Sequence, residues 1–276
     1  MSHAQDLIPP RPAPPATHPG LNPARALGIV LLLIWAVLGL GLLAMMITNW
    51  DQDKFVKYGP RILDGLVTTL IIVAVSIVFG AILSVPIAIG RMSKNRIANA
   101  VTFAYVYVFR GTPLLAQVFM VYYGLGGFRS AFEDVGLWWF FRDAWYCGVL
   151  ALSLNTAAYQ AEILRGAILS VPKGQREGAA SLGLPNSVTF WKIIVPQALI
   201  VALRPYGNEI ILMVKASAIL AIITVLDLMG QTRYAFSRTF DYQAYLWAAI
   251  FYLTIVETLR HVWAAIERYL TRHLKR

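Results

Sequence analysis

Residues 177–196 read EGAASLGLPNSVTFWKIIVP. The stretch lies between two apolar runs, and its pattern is too regular for a plain loop. Arg176 to Leu182 is a patch of helix formers that stops at Gly183, a residue suited to the left-handed backbone at a helix end. Residues 187–195 read as a second short helix, with Asn186 or Ser187 as its N-cap. Pro196 then leads into the next apolar run. The pattern predicts a short helix, a tight turn and another short helix lying outside a bilayer. A rigid element placed there is suited to touching another protein.

The runs on either side decide the class. The chain of 276 residues is 58% hydrophobic and only 14% charged, with a mean hydropathy of +0.61. A soluble domain would be nearer half apolar and a quarter charged. Several runs reach the roughly 20 residues needed to cross a bilayer as helix. The fold class is therefore all-α, a polytopic integral membrane protein of about six transmembrane helices. A net charge of +10 is explained by loops beside anionic lipid rather than by nucleic acid. The single cysteine, Cys147, excludes an internal disulfide framework, and the scattered histidines give no metal-ligand spacing. No cofactor is expected.

In chain order, residues 1–26 form a proline-rich tail, unsuited to helix or sheet. An N-terminal span covers 27–48, followed by a polar linker, 49–61. Further spans are expected over 62–90, 98–123, 144–169, within 196–226, and over 242–266. The third is interrupted by Arg110-Gly111-Thr112-Pro113. Residues 124–143 read as a loop with Trp138, Trp139 and Trp145 as interfacial anchors, and 227–241 as a linker. A basic tail, 267–276, ends the chain.

Lysine and arginine bias sets the orientation. Arg11, Arg25, Arg91, Lys94, Arg96, Lys173, Arg176, Lys192, Arg260, Arg268, Arg272, Lys275 and Arg276 outnumber Lys54, Lys57, Arg61, Arg129, Arg142, Arg233 and Arg238 on the opposite side. Both termini and the two-helix loop are thereby expected in the cytoplasm.

The loop resembles the E-A-A-x3-G-x9-I-x-L-P signature of permeases in the ATP-binding cassette class. Glu177, Ala179, Gly183, Ile193 and Pro196 fall in register, while Gly178 and Val195 replace an alanine and a leucine. Residues 65–91, RGTPLLAQ at 110–117 and AYQAEILRGAILSVPKGQ at 158–175 resemble the polar amino acid branch of that family. The match loosens at Lys215-Ala216-Ser217, where a polar residue usually follows the lysine. The resemblance spans about 65–266 and leaves out the first span.

This resemblance implies a type I ABC importer permease fold, with a permease domain at 62–266 and a coupling loop at 173–196. It implies an inner-membrane permease, not an enzyme, that carries a polar, basic amino acid or opine. Implied partners are separate ATPase subunits, which bind the ATP, a second permease subunit in a homo- or heterodimer, and a periplasmic solute-binding protein. The chain itself has no G-x-x-x-x-G-K-[ST] loop. Glu177, Ala179, Ala180, Gly183 and Pro196 are the expected coupling residues. Asn208, Glu209, Lys215, Arg110 and Thr112 are candidates for the substrate pathway, since intramembrane charges are costly and default to function. Glu162 and Arg165, three apart, are expected to neutralise each other. A gradient-driven amino acid transporter is the alternative.

Overall fold

The computed structural model describes residues 23–272, so the tail before Pro23 and the last four residues lie outside the described chain. It divides into two units, residues 1–51 and 52–276. The first unit contributes α1, Pro23–Thr48, a 26-residue helix with no buried residue. Its faces are apolar all round, as a lipid-exposed span requires.

The second unit contains α2 (Gln52–Met92), α3 (Arg96–Gly111), α4 (Leu114–Phe119), α5 (Arg129–Asp134), α6 (Trp138–Phe141), α7 (Ala144–Ser170), α8 (Lys173–Ser181), α9 (Asn186–Val188), α10 (Val195–Ser217), α11 (Leu228–Thr239) and α12 (Gln243–Leu270). Two π-helical turns and one 3-10 turn join these pieces. Among the described residues there is no strand.

The core is the pairing of α7 with α2. Nearly every face of α7 is covered, with Ala151, Leu152, Ala157, Ala158 and Ala161 fully buried. Opposite it, α2 presents the buried Ser76, whose hydroxyl donates to the Val149 carbonyl at 3.5 Å, and Gly80, while Gly65 and Thr69 of the same helix pack against the start of α11. Apolar burial drives little association in lipid, so helices pair there by close van der Waals contact between small residues. At Gly80 the approach is close. A Cβ built there would lie 2.4 Å from Cγ2 of Thr156 and 3.0 Å from Nε2 of Gln160. Ile72, Val118, Val214, Leu220, Ile223 and Leu228 complete the same core.

Four helices, Pro23–Thr48, Gln52–Met92, Asn186–Ile223 and Gln243–Leu270, are long and apolar enough to cross a membrane among the described residues. A fifth span is reached if Arg96–Gly111 and Leu114–Gly124, bent by 108°, count as one. The expected break at Arg110-Gly111-Thr112-Pro113 is this bend. Helix α7 has 27 residues, about 40 Å of helix and enough to cross. It falls short in apolarity because neighbouring helices, not lipid, surround it.

Four expected boundaries shift. The polar linker at 49–61 is helical from Gln52, continuous with the span. Lys54 ties this extension to Asp241 at 2.8 Å, and Phe55 lies 6.3 Å from Trp247. The linker at 227–241 contains α11, whose first turn is capped by Asp227 accepting from the Gly230 amide at 2.8 Å. The loop at 124–143 holds α5 and α6. The largest change is at 187–195. This segment is not a separate helix, because Asn186 begins a helix that runs unbroken into the next span. Its N-cap is Pro185, without a side-chain cap bond, rather than Asn186 or Ser187. Pro196 therefore lies inside a helix. It has no N–H for the carbonyl four residues earlier, and the π-helical turn Thr189–Ile194 widens the helix just before it.

Candidate coupling loop and membrane pathway

Helix α8 stands between α7 and α9 and ends in a Schellman motif. The Gly183 amide donates to the Ala180 carbonyl at 2.9 Å, and the Leu184 amide reaches back to Ala179 at 3.0 Å. These bonds satisfy carbonyls left over at the helix end, and they require a left-handed residue between them. Gly183 supplies it with φ +70°. Glu177, Gly178 and Ala180 are exposed, whereas Ala179 is buried at 4%. Leu182 and Trp191, two large apolar side chains, are 79% and 66% exposed. Beneath the loop Val171, Ile194, Ala167, Ala198 and Ala202 form a second apolar cluster. The loop is thus seated on the C-terminal end of α7 and the N-terminal end of α10, beside a cavity of about 450 Å³ lined by Arg176, Ala180 and Leu184.

The pathway candidates separate into two groups. Glu209 is buried at 6% and accepts a hydrogen bond from the Thr156 hydroxyl at 2.8 Å. Thr156 in turn accepts from Nε2 of Gln160 at 3.0 Å, and Gln160 also donates to the Ile77 carbonyl at 3.3 Å. Oε1 of Gln160 is buried with no partner. Arg110 lies over the Tyr159 ring at 5.2 Å, on the α7 helix that also holds Thr156 and Gln160. Asn208 and Lys215, by contrast, are exposed on the opposite face of α10, in line with Arg204.

Thr112 belongs to the repair of the broken helix. Pro113 has no N–H to offer the Phe109 carbonyl, a deficit that must be met inside a membrane. Nε2 of Gln117 donates to that carbonyl at 2.9 Å and to the Thr112 hydroxyl at 2.8 Å. Nδ2 of Asn155 also donates to Phe109 at 3.2 Å, and to Oε1 of Gln117 at 2.9 Å. Sequence reasoning did not single out Asn155 for this repair, nor Thr156 and Gln160 for holding Glu209. Their signal was three polar residues within six positions of an otherwise apolar run.

Glu162 does pair with Arg165, at 2.8 Å, and its other oxygen meets Arg91 of α2 at 3.0 Å. Arg91 also lies over Phe103 of α3 at 4.9 Å, and its carbonyl accepts from Asn99 at 2.7 Å. One carboxylate therefore clamps α2 to α7, with α3 held against the same arginine.

Apolar spans packed around a polar central helix, with a capped and exposed helix between two of them, define a helical membrane-transport protein. Residues 76–276 match the family described as binding-protein-dependent transport system inner membrane component, and the chain belongs to it. The chain is 39% identical over 226 residues to the nopaline transport system permease protein NocM of Agrobacterium fabrum, covering 82% of this chain and 94% of the relative. It is 34% identical over 212 residues to the arginine ABC transporter permease protein ArtM of Escherichia coli, covering 77% and 95%. Among solved structures, an amino acid ABC transporter crystallised with histidines superposes with a TM-score of 0.71 at 34% identity, covering 80% of this chain and 99% of that one. A methionine ABC transporter in inward-facing conformations, at 20% identity and TM-score 0.63, shares the fold. The chain is accordingly the permease subunit of an ATP-binding cassette importer and not an enzyme. ATPase subunits and a binding protein are its partners at the inner membrane.

Proposed function

We propose that this chain forms half of the membrane pathway for a basic amino acid or an opine. A second permease subunit, identical or related, completes the pathway, and both termini lie in the cytoplasm. The observation that carries the substrate class is Glu209, a carboxylate held inside the helix packing by Thr156. An acid kept there is a counter-charge for a cationic cargo, and the nopaline and arginine permeases among its relatives agree with that reading. Lys215 supports the second subunit. Lys215 lies in the last turn of α10, and a lysine facing lipid within a span is costly, so its exposed face calls for a partner or a watered channel. Glu177, Leu182 and Trp191 supply an acid beside apolar anchors for the ATPase, with Gly183 fixing the turn. Ala179 and Pro196 serve within the protein, the first by seating α8, the second at the π-helical turn.

The test is uptake of labelled arginine, ornithine, histidine and nopaline into proteoliposomes holding the permease, its ATPase and its binding protein. Uptake should require ATP, survive ionophores that collapse proton and sodium gradients, and fall sharply in Glu209→Gln for the cationic cargo. Uptake that persists without ATP and stops with the ionophores would establish the gradient-driven alternative instead.

A further inference from the structure

A second cavity, of about 550 Å³, opens beside the N-terminal end of α7, away from the coupling loop. Arg142, Asp143, Thr68, Tyr122 and Thr224 contribute its polar groups. Among the described residues, Arg142 has no ion-pair partner. Asp143 uses one oxygen to accept the Trp145 amide at 2.8 Å, which caps α7, and the second oxygen has no hydrogen-bond partner. Thr224 forms the wall with a left-handed backbone, φ 70°, at the break between the 3-10 turn and α11. The volume lies within the range of small-molecule sites. Opposite charges on adjacent residues, with hydroxyls around them, match one chemical group.

We propose that this cavity is a holding site for the α-carboxylate and α-nitrogen cation of the cargo, at the outer mouth and separate from Glu209. The assignment rests on the reading of the chain as an amino acid or opine permease. Arg142 takes the carboxylate through its planar, two-pronged donor set, and Asp143 with the hydroxyls takes the nitrogen. The mouth thereby reads the part that all such cargoes share, while Glu209 reads the charged side chain further in.

The experiment is equilibrium binding to the permease–ATPase complex in lipid nanodiscs, with no binding protein and no ATP. The probes are labelled arginine and agmatine, which is arginine without its carboxylate. Measurements are made in the Glu209→Gln background, so that the inner acid does not contribute. Arg142→Gln should weaken arginine about ten- to a hundredfold, the range for a lost hydrogen bond to a charged group, and leave agmatine unchanged. Asp143→Asn keeps the helix cap, because asparagine caps as well as aspartate, and should weaken both probes. If Arg142→Gln weakens both probes equally, or neither, the holding site is refuted while the permease reading stands. If the native complex neither binds nor imports any amino acid or opine, both readings fall together.

Discussion

Replacing Gly80 with alanine tests the close contact between α2 and α7. The added carbon would lie 2.4 Å from Cγ2 of Thr156, more than 1 Å inside the usual carbon–carbon separation of about 3.5–4.0 Å. Overpacking of this kind costs about 1–3 kcal/mol. Alanine's better helix propensity returns up to about 1 kcal/mol, so a net loss of about 1–2 kcal/mol is expected. Thr156→Ser removes the colliding methyl and keeps the hydroxyl that Glu209 accepts from. Alone it should cost about 1 kcal/mol, as small losses from a packed core do. Together the two changes should recover most of the Gly80→Ala loss, a coupling of about 1–2 kcal/mol, as expected for residues in contact. Thermal unfolding in detergent can be followed with a thiol-reactive dye, because Cys147 is the single cysteine and only 1% exposed. A neutral Gly80→Ala, or a double variant no better than the sum of its parts, would refute the close approach of α2 and α7.

Three further outcomes are expected. Gly183→Ala meets no neighbouring atom but places a side chain in the left-handed region, costing about 1–2 kcal/mol; cargo-stimulated ATP hydrolysis should fall while the thermal midpoint of the spans barely moves. Glu162→Gln leaves Arg91 and Arg165 without their shared acid, at side-chain exposures of 14% and 31%. Breaking a fully buried pair costs about 3–5 kcal/mol, so this partly wetted clamp should lose about 2 kcal/mol in the same dye assay. Glu177→Ala, fully on the surface, should leave that midpoint unchanged and weaken pull-down of the ATPase; equal binding by the variant would remove Glu177 from the contact.

The spans and the loop were legible because both depend on local patterns. An apolar run of sufficient length has one stable outcome in lipid, and Gly183 followed by a polar turn has few. The first helix of the loop, read from sequence at 176–182, is observed at Lys173–Ser181, starting one turn earlier. The linkers at 49–61 and 227–241 were misread because polar composition was taken as absence of helix, whereas Asp227 caps one segment and Lys54 with Phe55 anchors the other. Residues 187–195 were misread because Pro196 normally ends or begins a helix, and a π-helical turn is not visible in composition. In the pathway, Glu209 was found as an intramembrane charge. Its neighbours Thr156 and Gln160, and the repair of the Phe109 carbonyl by Gln117 and Asn155, depend on contacts between residues up to 83 positions apart, which no window along the chain contains.

The unbroken run Asn186–Ile223, 38 residues long, has a mechanical consequence. At the helical rise it spans about 57 Å, so one arm of the loop and the far end of the span belong to a single lever. The π-helical turn beside Pro196 is the place in this run where bending would absorb movement. A rod instead converts a small tilt into displacement at both tips, and by that length a tilt of about 5° shifts one tip about 5 Å relative to the other. Any such tilt would turn about the point where the helix is gripped, and the apolar cluster of Ala167, Val171, Ile194, Ala198 and Ala202 is the grip nearest the loop. Adding bulk at Ala198 or Ala202 would move that grip and change the amplitude of the tilt without touching either tip.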